Sequence, residues 1–155
     1  MEQNEYEETV LEINRVSKKT KGGNTMRFNA LVVVGDRKGR VGASISKAKD
    51  VRSAIAKAVA HAKRNMVEVS MQGTTIPYEV RAKFNAARVL LKPAPKGSGI
   101  VAGGAVRAVL EAAGVRDAVG KILGTNNKTT NVYATLEALK QLKRIADKNQ
   151  NKSLK

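Results

Sequence analysis

Alternating apolar and polar positions in the first fifty residues predict an antiparallel sheet. Residues 27–34 (RFNALVVV) place an apolar side chain on one face at every second position, and residues 40–46 (RVGASIS) repeat that spacing. This alternation is typical of half-buried strands. The intervening GDRKG, residues 35–39, is short enough to join the two strands as a hairpin. Residues 9–16 mix β-branched with polar side chains and are predicted to form a preceding strand.

At Asp50 the apolar spacing lengthens to three and four residues, which predicts an amphipathic helix. Asp50 is a favourable N-cap residue. The apolar positions that share one helical face are Val51, Ile55, Ala58, Val59, Ala62 and Met66. Three strands and one helix complete a first domain, predicted to span residues 13–72.

The second half of the chain predicts a further domain over residues 73–147. Residues 76–84 alternate strictly and indicate a strand, for which 86–92 is the predicted hairpin partner. A short helix over 105–114, closed by a glycine, a strand within 115–123 and a helix over 129–146 follow. The fold class is therefore α+β in two small domains. Residues 1–12 are predicted to be a flexible acidic tail and 148–155 a flexible basic one.

The net positive charge of the chain limits the kinds of partner that are expected. The chain carries 29 lysines and arginines against 13 aspartates and glutamates, a formal charge of +16, and five of those acids lie in the first twelve residues. A compact chain with such an excess repels itself, so an external polyanion is expected to neutralise it. Nucleic acid is the first expectation, and an anionic membrane surface is the second. The membrane alternative is disfavoured because no helix pairs an apolar aromatic face with a lysine-rich one.

The composition excludes several other classes. The chain has no cysteine, so it has neither a disulfide framework nor a cysteine-ligated metal. The single histidine, His61, lacks histidine or cysteine partners for a metal site. The acidic start does not resemble a signal peptide, and no apolar run reaches the ~18 residues that a membrane span needs. A cytoplasmic location is the simplest expectation.

The positive charges concentrate on connections. Residues 14–64 hold fourteen cations against two acids, on a basic loop predicted over 17–27, on the GDRKG turn and along the helix. The candidate nucleic-acid-binding residues are Arg15, Lys18, Lys19, Lys21, Gly22, Gly23, Arg27, Arg37, Lys38, Arg40, Lys47, Lys49, Arg52, Lys57, Lys63 and Arg64. Phosphate contacts of this kind fix the position of a protein on a nucleic acid without distinguishing one base from another. Because aromatic residues make up only 3% of the chain, recognition of RNA shape and backbone is expected rather than base stacking.

A glycine-rich stretch raises an enzymatic alternative. Gly97, Gly99 and Ala102 fit the dinucleotide-binding spacing, and Asp117 follows twenty residues after the first glycine. The context argues against a cofactor, because Pro93 and Pro95 separate the strand from the glycines. Close backbone packing, or a helix N-terminus facing an anion or a neighbouring protein, fits better. The remaining acids are dispersed, so no acid–base pair is indicated. Neither enzymatic activity nor a cofactor is expected.

Three stretches resemble one family. GDRKGRVGASISKAKDVRSAIAKAVAHAKRNM and GSGIVAGGAVRAVLEAAGVRDAVGKILGTNN resemble the two signatures of bacterial ribosomal protein five of the small subunit, and NRVSKKTKGG resembles its extended N-terminal loop. The resemblance covers residues 13–147 in unbroken order. Asn24 departs from it, standing where a cation is usual, and the two tails follow no pattern of the family.

The resemblance implies a fold and a function. The first domain is expected to be similar to a double-stranded-RNA-binding fold, and the second to contain a left-handed βαβ crossover, against the usual hand. Members bind small-subunit rRNA, contact ribosomal proteins four and eight and help line the mRNA entrance. In the family, the contact with ribosomal protein four affects decoding accuracy. The positions that match this contact are Gly99 and Arg107, and Gly103 and Gly104 are expected to belong to the same contact surface. No second copy of the chain is expected as a partner. A free-standing double-stranded-RNA-binding protein is the alternative.

Overall fold

The computed structural model describes residues 6–153 of the chain, and the side chains of residues 6–148 apart from Lys18, Thr20 and Asn24. The predicted α+β class is confirmed. Two four-stranded sheets are each packed against helices, and the elements follow one another along the chain in two successive groups.

The first group is an antiparallel sheet with one helix. Its strands are β1 (Glu7–Thr20), β2 (Gly23–Gly35), β3 (Arg40–Ala48) and β4 (Val67–Glu68), in the spatial order β1-β2-β3-β4. Helix α1 (Val51–Arg64) begins at its predicted N-cap. The Asp50 side chain accepts a hydrogen bond from the backbone N–H of Ser53 at 3.3 Å, and hydrogen bonding with Ser53 lowers the pKa of Asp50.

Residues 30–34 of strand β2 are buried on both faces, which corrects the prediction of a half-buried strand. Ala30, Val32 and Val34 pack against α1. Leu31 and Val33 point to the opposite face and join a core that includes the second domain. The unbroken apolar run 30–34 is the sequence signal of such a strand, because burial on both faces removes the need for polar alternation.

The second group is a mixed sheet with two helices. Its strands are β5 (Val80–Phe84), β6 (Ala87–Pro93), β7 (Ile100–Val101) and β8 (Ala118–Ile122), in the order β5-β6-β8-β7, with β7 and β8 parallel. Helix α2 (Gly104–Ala113) connects these two parallel strands. One face of the sheet packs against α2 and α3 (Lys128–Ser153).

The C-terminus of α2 joins the two domains. The carbonyls of Ala112 and Ala113 accept hydrogen bonds from the backbone N–H groups of Arg37 (3.0 Å) and Gly39 (2.9 Å), both in the β2–β3 turn. Gly114, the predicted closing glycine, directly follows helix α2 and has a left-handed conformation with φ of 97°. A Cβ at Gly114 would lie 2.2 Å from the carbonyl oxygen of Arg37, so only glycine permits this approach.

Several predicted boundaries differ from the structure. Strand β1 begins at Glu7, so residues 7–12 are not part of a flexible tail; they pair with β2. Strand β5 begins at Val80 rather than at residue 76, since Pro77 cannot donate to a ladder. Helix α3 extends to Ser153 instead of ending at 146, because no glycine or proline interrupts it. Residues 1–5 and 154–155 of the two predicted tails lie outside the described residues.

Candidate nucleic-acid interface

The first candidate surface is a projecting β-ribbon. Pairing of β3 with β2 stops at Phe28 and Ala48, whereas β1 and β2 remain paired up to Thr20 and Gly23. Residues 15–28 therefore form a two-stranded arm, called the basic ribbon below. At about 3.4 Å per residue it extends roughly 17 Å past the end of β3.

This ribbon corrects the predicted loop over 17–27. The register is one to one from Arg15–Phe28 to Thr20–Gly23, and only Lys21 and Gly22 lie between the two strands. Sequence reasoning missed the strands because the segment has no apolar face, so the alternation that predicts a strand is missing. The ribbon buries little, and its form depends on backbone pairing and on a two-residue turn.

Glycine at the tip serves the backbone conformation. Gly23 has φ of 135°, which side-chain-bearing residues rarely adopt. A Cβ built at Gly22 or Gly23 meets no atom within 4 Å. The space around the tip is therefore open, and a partner can approach this part of the backbone closely.

Eight of the predicted binding cations lie on the ribbon or beside its base. Strand β3 ends opposite Phe28, so the start of α1 lies near the base of the ribbon. The eight are Arg15, Lys19, Lys21, Arg27, Lys47, Lys49, Arg52 and Lys57, and all are exposed. Arg15 and Arg27 occupy successive pairs and so point to opposite faces of the ribbon. Among the side chains that the structure describes, none of the eight forms an ion pair. The side chain of Lys18 lies outside that set.

The other predicted cations lie at the opposite end of the sheet, and three of them are paired with acids. Glu7 is the register partner of Gly35, roughly 40 Å along β1 from the ribbon tip. It binds Arg37 through both carboxylate oxygens, with a distance of 2.7 Å from Nη2 to Oε1. That hydrogen bonding raises the pKa of Arg37.

Two further pairs complete this arrangement. Lys63 lies 3.5 Å from Glu8, and Arg40 lies 3.5 Å from Glu68. Lys38 and Arg64 are exposed at the same end. The sixteen predicted residues therefore do not converge on one side of the sheet. They divide between a ribbon end with unpaired cations and a turn end where acids of the same chain neutralise part of the charge.

The glycine-rich loop holds a carboxylate of its own chain. Asp117 is buried, and its Oδ1 accepts hydrogen bonds from the backbone N–H groups of Gly97 (3.1 Å) and Gly99 (2.8 Å). The hydroxyl of Thr74 donates to Oδ2 at 2.5 Å. These hydrogen bonds, first that of Thr74 and then that of Gly99, lower the pKa of Asp117. The amides that would bind a phosphate in a dinucleotide site are thus directed at Asp117.

Sequence reasoning missed this role of Asp117. The twenty-residue spacing from Gly97 to Asp117 is the available signal, but it fits the dinucleotide-binding pattern that Pro93 and Pro95 argue against, and so it indicates no separate role for Asp117. The loop between β6 and β7 instead folds around Asp117, the residue directly before β8. Thr74, which precedes the second sheet in the chain, donates a further hydrogen bond to the same carboxylate.

The residues predicted to contact a protein partner lie together at the start of α2. Gly103 is its N-cap, Gly104 its first residue, and both are exposed. Arg107 is exposed and forms an ion pair with Glu111 at 2.9 Å. A cleft of about 460 Å³ beside them is lined by Gly99 and Arg107, and by Arg37 from the first domain. The surface is therefore polar and spans both domains.

Neither metal nor membrane features are found in the part of the chain that the structure describes. No group of three or more histidine, cysteine, aspartate or glutamate side chains within residues 6–153 could hold a metal ion. His61 lies exposed on α1. None of the described helices is both long and apolar enough to cross a membrane.

Two family models match the chain in succession, one to each domain. The model described as ribosomal protein S5, N-terminal domain, matches residues 6–70. The model described as ribosomal protein S5, C-terminal domain, matches residues 82–152. Together they cover the basic ribbon, both sheets apart from the first two residues of β5, and the three helices apart from the last residue of α3. The chain therefore belongs to the ribosomal protein S5 family, whose members are structural components of the ribosome.

Proposed function

We propose that this ribosomal protein binds small-subunit rRNA mainly through the basic ribbon and the adjoining start of α1. The observation that carries the proposal is the unpaired charge of that end. Eight exposed cations there have no carboxylate partner among the described side chains. Without an external anion, this concentration of like charge is self-repelling.

The shape of the ribbon supports binding to folded RNA rather than to a flat surface. It is only two strands wide, it has cations on both faces, and its tip is a glycine turn with open space around it. Such an arm can enter a groove or a junction and contact phosphates on either side. Its described part includes one aromatic residue, Phe28, which is half-buried at the base, so base stacking is not expected to contribute much.

Binding should be tested with a triple variant of the ribbon, Lys19→Gln, Lys21→Gln and Arg27→Gln. A matched control carries Lys128→Gln, Lys140→Gln and Lys148→Gln, which remove the same charge from exposed positions of α3. Affinity for small-subunit rRNA and for a generic RNA duplex is measured between about 50 and 200 mM salt. For rRNA, we expect the slope of log K against log salt to become shallower by about two to three in the ribbon variant, and by less than one in the control.

Two outcomes would contradict the proposal. Equal loss in the ribbon variant and the control would mean that total charge, not the ribbon, sets the affinity. Equal affinity of the unsubstituted protein for rRNA and for the generic duplex would favour the free-standing double-stranded-RNA-binding alternative. Melting temperatures of all variants should agree, because every substituted side chain is exposed.

The surface at the start of α2 is assigned to a neighbouring small-subunit protein, with ribosomal protein four as the expected partner and protein eight at another site. Exposed Gly103 and Gly104 allow close approach, and Arg107 lies beside them. Through this contact the protein would help to line the mRNA entrance of the subunit and would affect decoding accuracy. Subunits reconstituted with Arg107→Gln should show a changed misreading frequency, and an unchanged frequency would remove Arg107 from this role.

A further inference from the structure

Within residues 6–153, the second sheet has one face that no helix covers. Helices α2 and α3 pack against the side chains of Val80, Ala82, Val89 and Leu91, on the inner face. The alternate residues of β5, β6 and β8 therefore point outward, and we call their surface the open face. Its cations are Arg81, Lys83, Arg88, Lys92 and Lys121, and all five are exposed. None of them was among the predicted binding residues.

The strand register places these cations in adjacent rows. Arg81, Leu90 and Lys121 are partners across β5, β6 and β8, and Lys83 pairs with Arg88 in a neighbouring row. Neighbouring strands lie about 4.8 Å apart, and alternate residues of one strand about 6.7 Å apart. The backbone thus fixes a two-dimensional array of positive charge, unlike a set of lysines scattered over a helix.

None of the described acids of the second domain forms an ion pair with this array. Glu111 is paired with Arg107, Glu137 with Arg144 and Asp147 with Lys143, while Asp117 is buried in the glycine-rich loop. Glu79 precedes β5 and is exposed, but it forms no described ion pair. Within the described side chains, the five cations of the open face likewise have no ion-pair partner. Five like charges on so small an area therefore favour contact with a polyanion.

We propose that the open face is a second RNA-binding surface, which contacts phosphates of the RNA backbone independently of the basic ribbon. It carries no aromatic side chain to stack a base, and its central apolar residue, Leu90, is buried between Arg81 and Lys121. Cationic side chains are therefore its main means of contact, and these position RNA without selecting sequence. The proposal rests on the proposed rRNA-binding function and gives the protein two anchoring points, one on each domain.

The test uses the full chain with Lys83→Gln, Arg88→Gln and Lys121→Gln, beside the α3 control triple and the ribbon triple. Binding to small-subunit rRNA is measured between about 50 and 200 mM salt. We expect about tenfold weaker binding and a salt slope shallower by about two to three for the open-face variant. Combining it with the ribbon triple should add the two losses, because the surfaces lie on different domains.

The outcomes separate this inference from the proposed function. Loss of affinity in the ribbon variant, with the open-face variant equal to the α3 control, overturns the open face and leaves the ribbon proposal standing. No loss in either variant overturns both. Undiminished binding to bare rRNA, with impaired incorporation in the presence of the other subunit proteins, would make the open face a site for an acidic protein and so overturn the RNA assignment. Should the triple variant have a lowered melting temperature, each single variant must reduce the salt slope by about one, or the inference fails.

Discussion

The ribbon tip and the loop over residues 97–99 are both glycine-rich, and both looked able to hold an anion. The glycines have different roles in the two segments. At the tip, Gly22 and Gly23 have open space around them and cationic side chains beside them. In the loop, the amides of Gly97 and Gly99 donate to Asp117, an anion that the chain supplies itself.

This difference shows that the role of a glycine-rich segment depends on what surrounds its backbone. Where a buried carboxylate of the same chain accepts hydrogen bonds from that backbone, the segment is part of the folded structure, and breaking it should affect stability. Where the surroundings are open and cationic, the segment adds little to the fold, and breaking it should affect binding. Substitutions at the two sites are expected to separate these effects.

The largest effect is expected from Asp117→Ala. The substitution removes the acceptor of three hydrogen bonds and leaves the N–H groups of Gly97 and Gly99 and the hydroxyl of Thr74 without it. We expect the melting temperature, followed by circular dichroism, to fall by roughly 5–10 °C. The matched control is Asp147→Ala, which breaks only an exposed pair with Lys143. Equal melting temperatures of the two variants would show that the carboxylate does not hold the loop.

A second effect is a dependence on pH that belongs to the same carboxylate. The folded-state pKa of Asp117 is lowered, so its stabilising contribution is fully present above the ordinary value of about 3.9 and is lost as pH falls through the folded pKa. Asp117→Asn keeps the shape without the charge. The difference in melting temperature between wild type and this variant should be constant from about pH 7 to 5 and shrink below about pH 4.

The comparison with the asparagine variant isolates Asp117. Asp50, whose pKa is also lowered, is present in both proteins and cancels from the difference. Melting temperatures measured in a buffer series from pH 7 to about 2 provide the readout. A difference that stays constant through the acid range would mean that the carboxylate is not preferentially stabilised in its charged form.

The sequence predicted much of the fold because its strongest patterns are local. The Asp50 N-cap, the Gly114 helix end and the hairpin around GDRKG follow from residue types that determine backbone geometry over a few positions. The burial of Leu31 and Val33 could not be assigned in the same way. Their cover comes from the second domain and includes α2, which lies about seventy to eighty residues further along the chain.

The sequence indicates the charge distribution of the folded surface only in part, for two physical reasons. Local charge density indicates where cations are plentiful, but not which of them acids from elsewhere in the chain will neutralise. Arg37 and Lys63 are examples, because Glu7 and Glu8 reach them through the pairing of β1. The open face was missed because its cations are spread over three strands and become neighbours only through the sheet register.

The smallest effect on the fold is expected from deletion of residues 22–23. Lys19 and Asn24 can remain partners, with Thr20 and Lys21 as the new two-residue turn, so the ribbon loses one pair and about 3.4 Å of length. Thr20 and Lys21 suit a tight hairpin turn less well than glycine, and the tip should be looser. Because the ribbon buries little, the melting temperature should change by less than about 2 °C, while binding to small-subunit rRNA weakens several-fold.

Gly22→Ala keeps the length and adds a methyl group with no neighbour within 4 Å. Weaker binding in this variant would assign the effect to close approach of the backbone, and weakening in the deletion alone would assign it to the reach of the ribbon. Full incorporation of the deletion variant into small subunits, in competition with wild type, would show that the tip has no part in binding.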